Sequence, residues 1–305
     1  MRSARFLACL PVLALAIACG SSDEHSAFDN ATEPANAMGP NGIGSLGGNG
    51  EAPATDISGT QPMMGCGKMD ILFVVDNSGS MSEEQANLAK NFPGFAKVLN
   101  EYKTPSGMLL DYHVGVVTTD VTSHASGDSG QLRQTKTCPA AHEYLSRDDA
   151  AVETTLACLA KVGTLGDTTE QPLAAVQLAL SSTLKTGVNA GFRRDDAVLA
   201  IVILTDEEDQ SAGSNFDNVK IADVAAFLEG VAPKRWATHV IAGPAGGCTS
   251  PNGEAEEAKR LQDFVSIAGK NGSFSSICEA DLASGLSQAF KTFDYACQNA
   301  GTSPK

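Results

Sequence analysis

Apolar and polar positions divide the chain beyond residue 65 into short apolar runs and longer amphipathic segments. Ile71 to Val75 are all apolar, and the run stops abruptly at Asp76. Val198 to Thr205, VLAIVILT, is longer and stops in the same way at Asp206. Runs of this length and β-branching predict strands buried on both faces, as in a parallel sheet. Residues 112–118, 238–242 and 273–277 predict three more strands, and 131–134 a short edge strand.

The intervening segments carry helical periodicity. Leu88, Phe92, Phe95, Leu99 and Tyr102 share one helical face, with Pro93-Gly94 expected to kink or split that helix. Ser82 with Gln85, and Thr168 with Gln171, have the spacing of capping boxes. Further helices are predicted over 149–162, over Leu173 to Leu184, after Asp217, and over 254–268 and 281–295. Strands alternating with helices predict an α/β fold: a doubly wound, mostly parallel six-stranded sheet flanked by helices, Rossmann-like in its connections.

The first 65 residues lack such periodicity. Arg2 and Arg5 precede an apolar stretch, Phe6 to Ala18, that is short for a bilayer span and reads as an export signal over residues 1–18. It ends in Leu15-Ala16-Ile17-Ala18-Cys19-Gly20, which resembles a bacterial lipobox. The resemblance implies lipidation of Cys19 and a membrane attachment through that lipid alone. Gly20 lacks the aspartate associated with inner-membrane retention, so the resemblance favours the outer membrane. Residues 19–65, rich in Gly, Pro, Asn and Ser, form a tether with a coil reach of roughly 35 to 40 Å. The folded domain is expected over 66–297, with 298–305 as a tail.

Composition narrows the function. A formal charge of −15 disfavours nucleic acid, whose phosphates need clustered Lys and Arg. Beyond Cys9 and Cys19, Cys66, Cys138, Cys158, Cys248, Cys278 and Cys297 remain, an even set that suits disulfides in an exported chain. Fifteen pairings are open; the expected ones are Cys138–Cys158, Cys248–Cys278 and a closing Cys66–Cys297. No CxxC or HxxxH spacing points to zinc.

The chemistry concentrates where the two long apolar runs end. Asp76, Ser78 and Ser80 lie at i, i+2 and i+4, so one loop can turn three oxygens to one point, which suits a hard cation such as Mg2+, Mn2+ or Ca2+. In a doubly wound sheet the first and fourth strands adjoin at the switch point, which brings Asp206 to the same crevice. Asp76-Asn77-Ser78-Gly79-Ser80 and Thr205-Asp206 resemble the DxSxS and TD motifs of the von Willebrand factor type A family. The resemblance covers about residues 68–296. It implies a metal-ion-dependent adhesion site in which Ser78 and Ser80 bind the cation and Asp76 and Asp206 hold its waters. It also implies a threonine from a third loop: Thr168, with Asp167 and Thr169 as alternatives. A protein or other macromolecular partner would complete the coordination with a carboxylate, with the 121–147 insertion supplying specificity. No general base or nucleophile stands nearby beyond the acidic run Glu207-Glu208-Asp209, so binding is expected in preference to catalysis. The competing readings are a metal-dependent hydrolase and a structural envelope protein. Gly127-Asp128-Ser129-Gly130 resembles a serine-protease nucleophile turn, but its serine precedes His142, against that family's order.

Overall fold

The computed structural model describes residues 66–104, 107–121, 129–134, 138, 143–212 and 218–300. The predicted leader, Cys19 and the tether lie outside the described residues, as does the tail beyond 300.

The core is a six-stranded sheet in the order β3 (Leu145–Ser146), β2 (Asp111–Thr118), β1 (Lys68–Val75), β4 (Val198–Leu204), β5 (Trp236–Ala242), β8 (Gly272–Ser276). β1 lies between β2 and β4 and is parallel to both. β5 and β8 continue the parallel sheet, and β3 adds an antiparallel edge. The expected edge strand at 131–134 is displaced by β3. Within 131–134, Arg133 N–H instead donates to the Val116 carbonyl of the sheet at 2.8 Å. This stretch has no alternating pattern to hold a longer register.

Side-chain alternation sorts β1 and β4 into two cores. Ile71, Phe73 and Val75 face one layer, while Leu72 and Val74 face the other. The first layer is built by α1 (Ser82–Glu101), α2 (Val152–Leu159) and α7 (Ala283–Gln298); there Phe73 meets Phe92 edge-on at 4.9 Å and Phe95 at 5.5 Å. The second is built by α3 (Pro172–Ala179), α5 (Ile221–Val231) and α6 (Lys259–Ala268). α4 (Ser182–Thr186) is a short surface turn of helix. Burial on both faces explains why these strands read as continuous apolar runs.

Several local expectations are corrected. Helix α1 runs through Pro93 without a break; tertiary packing of Phe92 and Phe95 outweighs the one backbone bond that proline removes. Neither capping box forms. Ser82 is already helical, and Gln85 is drawn away to backbone groups elsewhere. Gln171 precedes Pro172, the first residue of α3, and accepts a bond from Ala212 N–H. The helix predicted from residue 254 starts at Lys259, because β6 (Cys248–Ser250) and β7 (Gly253–Ala255) form a hairpin first.

Disulfides join Cys66 to Cys297, Cys138 to Cys158 and Cys248 to Cys278. The first clamps the start of the folded region to its last helix, and the third ties the β6–β7 hairpin to the loop after β8. Three disulfides suit an oxidising, extracytoplasmic compartment. No helix among the described residues is long and apolar enough to cross a membrane.

Candidate metal centre

Parallel pairing of β1 with β4 brings their C-terminal ends together. Asp76 N–H donates to the Leu204 carbonyl at 2.9 Å, so Asp76 and Thr205-Asp206 leave the sheet side by side. Asp76 is fully buried, and each carboxylate oxygen has a donor: Ser78 N–H on Oδ1 at 2.7 Å and the Thr205 hydroxyl on Oδ2 at 2.6 Å. The first bond closes an Asx-type turn that sends the chain back into α1.

Beyond that turn, the Ser78 and Ser80 hydroxyls are 3.1 Å apart. Ser78 also hydrogen-bonds Asp76 through its side chain, and Ser80 does the same with Asp206. Asp76, Ser78, Ser80 and Asp206 thus form one hydrogen-bonded arc across the mouth of the crevice. Oδ1 of Asp206 is buried and has no hydrogen-bond partner. A buried carboxylate oxygen without a donor is costly unless a cation or its water satisfies it.

The third loop, residues 163–171, runs beside Asn77. Its register is set by Gly166, whose N–H donates to the Asn77 carbonyl at 2.8 Å. A Cβ on Gly166 would sit 2.5 Å from the Asn77 side chain, so only glycine permits this approach. Thr168 is exposed, and its N–H turns to Asp167 at 2.7 Å. Asp167 N–H reaches Asp120, and Thr169 is half-buried. The side chain from this loop that faces the site is Glu170, which is 1% exposed. It accepts a hydrogen bond from the Thr119 hydroxyl and shares another with the Asp76 carboxyl. Its placement is fixed by its carbonyl, which accepts Gln210 N–H at 2.7 Å. No spacing rule in the sequence singled out Glu170, although it stands two residues beyond Thr168.

Gln85 braces the floor. Its amide donates to the Asp76 and Gly163 carbonyls, each at 2.8 Å, and accepts Gly163 N–H at 3.2 Å. The acidic run after Asp206 divides by role. Glu208 accepts the N–H of Arg260 near the start of α6, and Asp209 accepts Leu173 N–H at the start of α3 while pairing with the Arg260 guanidinium at 2.9 Å. Only Glu207 of the three joins the wall of the crevice.

Burial, reinforced by neighbouring carboxylates, raises the acids here. Burial, then the charge of Asp76, pushes Glu170 up to about 9. Burial also raises Asp76, against the hydrogen bonds it accepts. Asp206 is pushed up to about 6 by burial, opposed by the Ser80 hydrogen bond. Glu207 and Glu84 both rise to about 7, first from burial and then from neighbouring carboxylates. Among the described residues no three or more His, Cys, Asp or Glu side chains converge as a metal cage. A cation here would rest on serine hydroxyls as much as on carboxylates, and that all-oxygen set fits a hard divalent ion.

Beside Asp206 opens a cavity of about 690 Å³, roofed by the β6–β7 hairpin and walled by Ser80, Glu207, Glu254, Glu256 and Glu257.

No known family profile matches the chain, and no curated protein does. Solved structures with a similar backbone include proximal thread matrix protein 1 of the mussel byssus, at 15% identity and TM-score 0.38, over 76% of this chain and 47% of that one. The pilus adhesin SpaC of Lactobacillus rhamnosus GG is similar at 11% identity and TM-score 0.42, over 76% of this chain and 30% of the other. Human COPII-coat protein Sec24c gives 11% and 0.41, over 76% and 32%. The chain spans less than half the length of each of these structures.

Proposed function

We propose that this chain is a lipid-anchored, extracytoplasmic binding protein that captures a macromolecular partner through a divalent cation. The observation that carries this reading is the arc Asp76–Ser78–Ser80–Asp206, with one buried Asp206 oxygen left without a donor. Ser78 and Ser80 would hold the cation by their hydroxyls, Asp76 and Asp206 would orient its waters, and a third-loop residue, Thr168 by the family resemblance, would complete the protein's share of the ligands. Mg2+ suits such a site because it retains exchangeable waters where protein ligands are few, leaving a position for a partner carboxylate; Mn2+ or Ca2+ could serve as well. The acidic walls of the adjoining cavity mean that a partner seated there brings basic side chains around that carboxylate. Lipidated Cys19 and the tether would hold the domain off the membrane, with the outer membrane favoured.

The test is a pull-down from envelope extract with the tethered domain as bait, with and without EDTA. Capture that disappears in chelator, and in Ser78→Ala with Ser80→Ala at unchanged circular dichroism, supports metal bridging. Capture that persists in EDTA refutes it. Loss of thermal stability without metal, and no captured partner, would instead favour a purely structural cation.

A further inference from the structure

We infer that Glu170, not Thr168, Asp167 or Thr169, is the third-loop ligand of the cation site, so that one carboxylate and two hydroxyls contact the ion directly. This rests on the metal-binding reading above and names its ligand set. Three observations lead to it. Glu170 is the acid of its loop that is buried at the site, at 1% exposure, whereas Thr168 is exposed. Its carboxyl lies against the Asp76 carboxyl, and Asp76 is in turn bonded to Ser78 N–H, so Glu170 extends the oxygen arc at the end opposite Asp206. The arc carries a buried Asp206 oxygen with no partner, an independent sign that the site lacks a positive group.

The Thr119 hydroxyl and the Gln210–Glu170 backbone bond hold Glu170 in place from outside the arc. A divalent ion seated against Asp76, Ser78 and Ser80 would therefore meet Glu170 already oriented. Compared with a threonine, the glutamate adds a full negative charge, and ligand charge count is a main determinant of hard-cation affinity.

Mn2+ binding to the purified domain (residues 66–300 on its tether), followed by electron paramagnetic resonance of free Mn2+, tests the assignment. Glu170→Gln is expected to weaken Mn2+ binding at least tenfold, Glu170→Asp to recover part of the loss, and Thr168→Ala to stay within twofold of wild type. Melting curves in EDTA check that Glu170→Gln remains folded; an amide can keep the bonds to Thr119 and Asp76. Equal binding by wild type and Glu170→Gln, or a large loss in Thr168→Ala alone, overturns the assignment while leaving a metal site in place. Failure of wild type to bind Mn2+ at millimolar concentration overturns both the assignment and the metal reading.

Discussion

Single side chains decide the chemistry of the crevice, and several were legible before any fold was known. Asp76, Ser78, Ser80 and Asp206 stand out because a buried strand that ends on an acid and short hydroxyls is an unusual pattern. Glu170 did not, because its significance depends on which residue of a coil segment turns inward. The acids here share one sign of pH dependence. Glu170, Asp206, Glu207 and Glu84 all have raised affinities for protons in the folded, metal-free chain, with Glu170 at about 9. The native state then binds more protons than the unfolded one above pH ~4.5, so stability is highest below that pH and falls as pH rises through ~9. Thermal melts in EDTA should show a declining midpoint from pH 5 to 9, and saturating Mn2+ should flatten that decline. Gln85→Ala is expected to cost about 1–3 kcal/mol, since it leaves the Asp76 and Gly163 groups without partners in a part-buried floor; urea unfolding measures this.

At the scale of elements, hydrophobic pattern gave strand and helix identity well and their ends poorly. β1 and β4 were clear because both faces are buried. The ends of α3 and α6 were not, because long-range partners, not local caps, terminate them: Asp209 meets the start of α3, and Glu208 meets Arg260 in the first turn of α6. The N-terminal end of the sheet has a charge cluster with equal structural weight. Buried Asp70 accepts the Arg194 backbone N–H at 2.6 Å and its guanidinium at 2.8 Å, and pairs with Arg193 at 3.4 Å. Asp70→Asn should destabilise the fold by about 3–5 kcal/mol, because the largely buried Arg193 loses its counter-charge. Chemical denaturation checks it, and metal binding at the far end of β1 should be unaffected.

Across the whole molecule, the ends of the domain are held by Cys66–Cys297, whose cysteines stand 231 positions apart in the sequence. Replacing both by serine should lower stability by about 2–5 kcal/mol, measured as a lower urea midpoint, through the larger entropy of the opened unfolded chain. Net charge and the acidic cavity act together at this scale. Partner capture should weaken as salt rises from ~50 to ~500 mM if the partner is basic, since the Debye length shrinks from roughly 14 to 4 Å; surface plasmon resonance would register this chiefly as slower association.

The class of fold, the two strand-end aspartates and the DxSxS loop were readable from the residue order, because each follows from local apolar periodicity and short-range spacing. Tertiary structure alone decided the neighbours: which third-loop residue faces Asp76, how the acidic run after Asp206 is divided, and what roofs the cavity. The physical reason is the same in all three cases. Coil segments carry no period, so the direction of each side chain is set by distant backbone groups such as the Asn77 and Gly163 carbonyls and the N–H groups of Gln210 and Leu173.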